Sequence, residues 1–271
     1  MNLYQETKYI LEKNDIRPNK RLGQNFLIDE DALDVISSNV SKDDVVLEIG
    51  PGIGSLTKLL LDKAKKVICV ELDPKMCEIL NERFFLYENF TLIQNDILKV
   101  DLSQYIEEYG SNLKVVANLP YYITTSIITE LLKAKVNDIT ILIQKEVADR
   151  ICAKPGDKEA GAITYLVYYY ADSEILTKVP KESFIPNPEV ESEVVHLKRL
   201  EKPRVEVKNE DLFFQVIKEN FSKRRKTITN SITNTIPKDK LESILNEIGI
   251  DSRVRGEDLT IEEFAKIVNM C

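Results

Sequence analysis

The chain has 271 residues, which is enough for one large domain and a small second one. Hydrophobic residues make up 43% of it and charged residues 30%, a composition typical of a globular protein. It contains no apolar run of membrane-spanning length and no signal-peptide pattern, so we expect a cytoplasmic protein with no membrane partner.

The net charge of −8 at pH 7 by itself argues against a nucleic-acid partner. The charge is distributed unevenly, however. Residues 1–200 contain 24 Lys and Arg against 32 Asp and Glu, whereas residues 201–271 contain 13 of each sign. Local clusters of positive charge, rather than the total, therefore decide what a surface can bind.

Histidine and cysteine are scarce. His196 is the only histidine and lies in a strand-like run, so we expect it to be structural. A single histidine also argues against multi-histidine metal sites. The cysteines show neither a metal-binding spacing nor a disulfide framework, and we expect reduced, mostly buried thiols and no metal. They are Cys69, Cys77, Cys152 and Cys271.

The first 16 residues are predicted to be helical. The next segment, residues 17–27, contains a basic pair, Lys20 and Arg21, and an amide pair, Gln24 and Asn25. Two interpretations stay open. The segment is either a solvated basic loop or a lid over a ligand pocket, to which the two amides offer hydrogen bonds.

Three glycines, Gly50, Gly52 and Gly54, separate the buried apolar run 45–49 from a segment of helical spacing that begins at Leu56. Glycine adopts backbone angles that other residues avoid, and it lets a ligand approach the main chain closely. The free N–H groups at the start of the helix add a polar edge. This arrangement predicts a nucleoside-cofactor site, for either a dinucleotide or S-adenosylmethionine.

Acidic residues follow the next two predicted strands. Glu71 ends the apolar run 67–70, and Asp96 follows the run 90–94. Because strands and helices alternate, we expect a parallel sheet whose carboxyl ends share one edge. At that edge Glu71 can bind the ribose hydroxyls, and Asp96 can accept a hydrogen bond from an adenine amine.

The four residues Asn118, Leu119, Pro120 and Tyr121 follow the predicted strand 113–117. The Asn118 side-chain oxygen and the Leu119 carbonyl can accept both hydrogens of an exocyclic amine. Pro120 makes the turn rigid, and Tyr121 offers a flat face for stacking a base. A sulfonium methyl group is already activated, so alignment, which can contribute about 7–11 kcal/mol, replaces a strong base. We assign the catalytic role to these four residues.

Two further β-rich runs are predicted, at residues 162–170 and 193–200. A proline-rich segment between them is predicted to hold Phe184 near the sheet edge. There the Phe184 ring could sandwich a flipped base against Tyr121.

A linker at residues 201–203 divides the chain into a first domain, residues 1–200, and a helical second domain, residues 201–271. The second domain carries a run of adjacent basic residues. This run and the basic pair near the N-terminus are the candidates for binding RNA phosphates. The candidates are Lys20, Arg21, Lys223, Arg224, Arg225 and Lys226.

The order of these motifs resembles that of the ribosomal RNA adenine dimethyltransferases. Over nearly its full length the chain looks like the bacterial small-subunit members. Residues 221–231 and 255–267 fit less well with the erythromycin-resistance methyltransferases of the large subunit. The motifs that carry the resemblance are Gln24 to Leu27, Glu48 to Gly54, Glu71 to Asp73, Asn95-Asp96, Asn118 to Tyr122 and the loop around Phe184.

The resemblance implies a Rossmann-like class I methyltransferase sheet of seven mostly parallel strands with one antiparallel edge, followed by a small all-helical domain. It implies S-adenosyl-L-methionine as cofactor and dimethylation of two adjacent adenines near the 3′ end of 16S rRNA. The substrate would be the small ribosomal subunit or its precursor, and the reaction would be coupled to subunit biogenesis. We expect a monomer.

By position, the resemblance assigns the target adenine to Phe184 and the Asn118–Tyr121 motif. The predicted cofactor-binding residues are Asn25, Leu27, Gly50, Gly52, Gly54, Glu71, Asp96 and Asn118.

Two positions depart from the family pattern. Glu189 stands where lysine is expected, and Ala160 stands where an aromatic residue is expected. We expect these changes to alter RNA contacts without changing the cofactor pocket.

Three alternatives remain: a non-catalytic assembly factor on the same fold, a resistance-type large-subunit enzyme, and a nicotinamide-dependent dehydrogenase. The intact Asn118–Tyr121 motif argues against the first. A glycine spacing of G-x-G-x-G rather than G-x-G-x-x-G argues against the last.

Overall fold

The computed structural model describes residues 2–19, 22–223 and 225–271. Within these ranges seven strands form one sheet, and two short strands, β1 and β8, pair separately. The strands are β1 (Phe26–Leu27), β2 (Val45–Ile49), β3 (Lys66–Glu71), β4 (Phe90–Gln94), β5 (Leu113–Asn118), β6 (Asp138–Gln144), β7 (Ala171–Val179), β8 (Phe184–Ile185) and β9 (Ser192–Arg199).

The main sheet has the strand order β4-β3-β2-β5-β6-β9-β7. The first five strands of this order are parallel to one another, whereas β9 runs antiparallel to β6. The order reverses between β2 and β5, and open α/β sheets bind ligands at such a reversal. The predicted class I sheet of seven mostly parallel strands is confirmed.

The helices begin and end largely where the periodicity predicts. In the described parts of the chain, each helix is too short or too polar to cross a lipid bilayer. The helices are α1 (Leu3–Lys13), α2 (Glu30–Ile36), α3 (Ser55–Lys63), α4 (Pro74–Phe84), α5 (Ser103–Tyr109), α6 (Thr124–Lys133), α7 (Lys145–Cys152), α8 (Ala162–Tyr170), α9 (Glu210–Ser222), α10 (Ile228–Ser231), α11 (Lys238–Ile248) and α12 (Ile261–Asn269).

Local signals account for the start of several elements. Asp29 caps α2, since its Oδ1 accepts a hydrogen bond of 3.0 Å from the Ala32 N–H. Pro74 occupies the first turn of α4 directly after the cap Asp73. All five residues of β2 are buried, as expected of a central strand with helices on both faces.

The chain forms two compact units. The first comprises the residues up to 148 together with residues 174–199, and it contains most of the sheet. The second comprises residues 149–173 and 200–271, and it is mainly helical. The second unit resumes at Leu200, beside the predicted linker, and it also includes residues 149–173, which the predicted boundary assigns to the first domain.

Residues 162–170 form helix α8, so the strand predicted there is wrong. The segment is rich in β-branched and aromatic residues, which locally favour a strand. A segment that is apolar all round is equally suited to a buried helix, however, and burial decides between the two. The helix begins where the Gly161 N–H donates to Thr164 Oγ1 at 2.9 Å. The strand follows one element later, as β7.

Tyrosine hydroxyls hold α8 within the second unit. The Tyr165 hydroxyl donates to the Leu259 carbonyl at 2.6 Å. The hydroxyls of Tyr169 and Tyr170 donate to the two carboxylate oxygens of Glu210 at 2.8 and 2.9 Å. The hydroxyl groups of these buried tyrosines therefore all have hydrogen-bond partners within the second unit.

His196 is part of a charge cluster at the end of the sheet opposite the carboxyl edge. Its Nε2 lies 3.1 Å from Asp138 Oδ1, and its Nδ1 lies 3.2 Å from Glu174 Oε1. The hydrogen bond with Asp138 raises the pKa of His196 although burial opposes the change. Burial also acts against ionisation of Asp138, but the hydrogen bonds from His196 and Lys198 outweigh it and lower the pKa of Asp138 to about 2. The arrangement agrees with the predicted structural role of His196.

We expect His196→Asn to destabilise the protein more at about pH 5.5 than at about pH 8.5. Because the folded pKa of His196 is raised, its stabilising effect is complete below the unfolded pKa of about 6.5 and is lost as the pH rises through the folded value. The expected loss in the free energy of unfolding is about 1–3 kcal/mol at the lower pH. Urea unfolding of the variant and of the wild type at both pH values measures this loss.

Lys198→Met is the matched control, because it removes another hydrogen-bond partner of Asp138 and leaves the imidazole in place. Its effect should be similar at both pH values. If His196→Asn lowered the free energy of unfolding equally at both pH values, the raised pKa of His196 would be contradicted.

Candidate active site

A cavity lies at the carboxyl ends of β2, β3 and β5, where the strand order reverses. Its walls come from six separate parts of the first unit: Leu33 and residues within 22–27, 48–56, 70–72, 95–97 and 118–123. The predicted cofactor and catalytic motifs thus meet at one place.

The glycine turn after β2 depends on left-handed backbone angles. Gly50, Gly52 and Gly54 have φ values of +65°, +59° and +86°. Gly50 and Gly52 line the cavity, which agrees with a cofactor-binding role. Gly54 has a different role: a Cβ atom there would overlap the ring of Phe84 in α4. Gly54 therefore permits close packing of α3 against α4 rather than contact with a ligand.

Glu71 ends β3 as a buried carboxylate that accepts three backbone hydrogen bonds. Its Oε1 accepts from the N–H groups of Leu72 and Asp73, both at 2.8 Å, and its Oε2 accepts from the Gly52 N–H at 3.1 Å. Burial raises the pKa of Glu71, and these N–H donors oppose that change. The carboxylate is thus fixed in place, in contact with the glycine turn, where it can accept hydrogen bonds from a diol.

Asp96 lies at the cavity after β4. Its Oδ1 accepts from the Leu98 N–H at 3.0 Å, and its own N–H donates to Asn95 Oδ1 at 2.8 Å. The two carboxylates predicted at consecutive strand ends, Glu71 and Asp96, are therefore both at the same cavity.

Asn118 is held in a defined orientation at the end of β5. Its Nδ2 donates to the Asn25 carbonyl at 3.1 Å. Since the nitrogen is the donor in this bond, the side-chain oxygen is the Asn118 atom that can accept from a substrate amine. The Pro120 carbonyl accepts from Thr124 Oγ1 at 3.0 Å, which stabilises the turn that follows.

Residues 22–27 reach the cavity from the N-terminal side. The Gln24 side chain bridges two parts of the chain: its Oε1 accepts from the Asn19 N–H at 2.9 Å, and its Nε2 donates to Asp73 Oδ2 at 2.8 Å. Gly23, Gln24, Asn25 and Leu27 line the cavity. Of the two interpretations of this segment, the structure favours the lid. Lys20 and Arg21 lie outside the described residues.

Sequence reasoning did not single out Glu48 as a site residue. Glu48 lies in β2, is 1% exposed and lines the cavity. Burial raises its pKa to about 7, and the Cys69 thiol donates to its Oε2 at 3.4 Å. The sequence does contain a signal for Glu48. An acidic residue inside an apolar strand is costly to bury, so its presence next to a glycine turn indicates a functional or hydrogen-bonded role.

The structure does not bring Phe184 into the cavity wall. Phe184 is fully buried and lies in β8, where it pairs with Leu27 of β1. It packs in the hydrophobic core with Val179 and Val194. The short β1–β8 pairing and the burial place the Phe184 ring in the core, and its predicted stacking on a flipped base stays a prediction.

Only part of the basic run in the second unit is exposed and could contact RNA phosphates. Lys223 Nζ pairs with Glu219 Oε1 at 2.9 Å and donates to the Ser231 carbonyl at 2.8 Å. Arg225 and Lys226 are exposed. Arg224 lies outside the described residues.

The two departures from the family pattern differ in their surroundings. Glu189 is exposed, whereas Ala160 is fully buried. A larger residue at position 160 would therefore need space that the second unit does not provide in this arrangement.

In the described residues, no group of three or more His, Cys, Asp or Glu is arranged to bind a metal ion. The donors that are present, a buried carboxylate beside a glycine turn and a second carboxylate one strand away, suit a nucleoside. Together with the strand order, they define a methyltransferase of class I.

Residues 16–271 match the profile of the ribosomal RNA adenine dimethylase family, and the chain belongs to that family. This membership argues against the dehydrogenase alternative.

Relatives and solved structures agree with this assignment. The chain is 50% identical to a protein of Clostridium botulinum and 51% identical to one of Clostridium acetobutylicum, each over 96% of both chains; both are named ribosomal RNA small subunit methyltransferase A. A dimethyladenosine transferase from Plasmodium falciparum is 26% identical, with a TM-score of 0.74 over 89% of this chain and 95% of that one. The 23S rRNA methyltransferase ErmE is 25% identical, with a TM-score of 0.66 over 91% and 99%.

We expect Gly54→Ala to destabilise the protein by about 2–5 kcal/mol. A left-handed backbone angle with a side chain costs about 1–2 kcal/mol, and overpacking against Phe84 adds about 1–3 kcal/mol. Gly249→Ala is the control, because Gly249 has the same left-handed conformation, with φ +75° and ψ +26°, but nothing lies within 4 Å of a Cβ there. Denaturant unfolding should show the larger loss for Gly54→Ala, and equal losses would argue against the packing role.

We expect Gln24→Ala to weaken S-adenosylmethionine binding by about three- to tenfold, since the two side-chain hydrogen bonds that join the lid to Asn19 and Asp73 are lost. Isothermal titration calorimetry measures the affinity. Gln104→Ala, an exposed glutamine of α5, should leave it unchanged. Unaltered affinity in Gln24→Ala would show that the lid does not depend on this bridge.

Proposed function

We propose that this protein transfers methyl groups from S-adenosyl-L-methionine to the exocyclic amines of two adjacent adenines near the 3′ end of 16S rRNA. The relatives that share 50% and 51% identity are named as small-subunit enzymes, whereas ErmE, which is named for 23S rRNA, shares 25%. The observation that carries the proposal is the oriented amide of Asn118 at the cavity, beside Tyr121.

The cofactor half of the site fits S-adenosylmethionine. Glu71 accepts hydrogen bonds from the ribose hydroxyls, and Asp96 accepts one from the adenine amine. Gly50 and Gly52 let the cofactor approach the backbone closely, and Asn25 and Leu27 close the cavity from the lid side. When bound, the cofactor supplies a methyl group that is activated by the positive sulfur.

The half of the site that holds the methyl acceptor, Asn118 to Tyr121, needs no strong base. The Asn118 side-chain oxygen and the Leu119 carbonyl accept the two N–H groups of the target amine, which leaves the nitrogen lone pair aimed at the methyl group. The same two oxygens stabilise the positive charge that develops on the nitrogen. Tyr121 stacks on the base, and Pro120 holds the turn that presents all of these groups.

We further propose that the substrate is a partly assembled small subunit in the cytoplasm, and that the protein acts as a monomer. The net charge of −8 disfavours tight binding to naked RNA. Within the predicted basic run, Lys223 is already paired with Glu219. Arg225 and Lys226 are exposed and are the described members of that run best placed to contact phosphates.

The test is tritium transfer from labelled S-adenosylmethionine to 30S subunits that lack the methylation, beside 50S subunits and naked 16S rRNA. We expect label on the 30S subunits, mapped to dimethyladenine, and much less on the naked RNA. Asn118→Ala should lower the rate by about 10²–10³-fold at saturating cofactor, because charge stabilisation in the transition state is lost. Asn112 is an exposed asparagine just before β5, and Asn112→Ala should leave the rate unchanged.

Label on 50S subunits would move the assignment to the resistance-type enzymes. No transfer to any substrate by a protein that binds the cofactor would instead support the non-catalytic assembly factor.

A further inference from the structure

The hydroxyl groups of Tyr121 and Ser192 are 2.7 Å apart, and Ser192 is fully buried. Tyr121 lies in the turn after β5, and Ser192 is the first residue of β9. We propose that Ser192 is a positioning residue, which holds the Tyr121 ring in the orientation that stacks the target adenine. The role rests on the proposed function, because it concerns the acceptor half of that site.

The antiparallel direction of β9 brings Ser192 to the site. In a parallel strand the first residue lies at the end of the sheet away from the cavity. Because β9 runs antiparallel to β6, its first residue lies opposite Gln144, at the carboxyl end of β6. The pairing continues past the strand, where the Lys145 N–H donates to the Glu191 carbonyl at 3.0 Å. The backbone is thus held by β6 on one side of Ser192 and by the first residue of α7 on the other.

The two ends of Tyr121 are held independently. At the backbone end, the Pro120 carbonyl accepts from Thr124 Oγ1 at 3.0 Å and from the Ile123 N–H at 3.3 Å. At the other end, the hydrogen bond with Ser192 restricts rotation of the ring about its side-chain torsions. Burial raises the pKa of the Tyr121 phenol, so the hydroxyl is neutral and the bond persists at neutral pH.

A ring fixed in advance has a kinetic consequence. Stacking of the extruded adenine takes place only in the reactive arrangement, whereas phosphate contacts bind the subunit in any arrangement. Loss of the Ser192 bond should therefore lower the methyl-transfer rate and leave subunit affinity unchanged.

The experiment is a double-mutant cycle on methylation-deficient 30S subunits, with the rate constant measured under single-turnover conditions. Tyr121→Phe keeps the ring and removes its hydroxyl, and Ser192→Ala removes the partner. We expect each single variant to lower the rate constant about three- to tenfold, a typical effect of one neutral hydrogen bond. The double variant should be no slower than the slower single variant, because both changes remove the same bond.

Two further readouts distinguish positioning from general destabilisation. The apparent Kd for the subunit and the Kd for S-adenosylmethionine should stay within about twofold of wild type in all three variants, as expected for an interaction made in the transition state. Ser37→Ala is the matched control: Ser37 is also fully buried, and its hydroxyl donates to the Leu33 carbonyl at 2.8 Å. It should lower the melting temperature without changing the rate constant.

A wild-type rate constant in Ser192→Ala, or losses that multiply in the double variant, would overturn the positioning role while the proposed function stands. If Ser192→Ala does not fold, Tyr121→Phe tests the same bond from the other side, and a wild-type rate there overturns the role. A wild-type protein that methylates no subunit would overturn the proposed function and this role with it.

Discussion

The proposed cofactor half of the site depends on the hydrogen bond from the Gly52 N–H to the Glu71 carboxylate. β2 and β3 are paired in register, with Ile49 opposite Val70, so the turn after one strand adjoins the residue that ends the other. A buried carboxylate is costly unless donors surround it, and three backbone N–H groups do so here. The left-handed angle at Gly52 places one of those donors, which makes the glycine turn and the acid a single structural feature.

The acceptor half is assembled from parts of the chain that are far apart in sequence. The Asn25 carbonyl orients the Asn118 amide, and Ser192 contacts the Tyr121 hydroxyl. Each contact joins the end of β5 to a different element, the lid on one side and the antiparallel strand β9 on the other. The sheet thereby orders polar groups around a cavity before any ligand binds, and such preorganisation lowers the barrier for a reaction that needs alignment rather than a base.

The predictions that succeeded depended on local signals. The Asp29 cap, the position of Pro74 and the acids at the ends of β3 and β4 follow from backbone chemistry and strand periodicity. The prediction that failed depended on burial: residues 162–170 have strand propensity but form a buried helix. Phe184 pairs with Leu27 and is fully buried, and its contact with the target base stays a prediction.

By itself the sequence determined most of the helices and strands of the first unit, the glycine turn and the acid or amide at the ends of β3, β4 and β5, because these features depend on neighbouring residues. The residue motifs also determined the family. Only the tertiary structure decided which side chains meet. The direction of β9, the contact of Gly54 with Phe84 and the bridge from Gln24 to Asp73 join residues that are distant in the chain. No local pattern encodes such pairs, since strand order and direction follow from how the whole sheet buries its two faces.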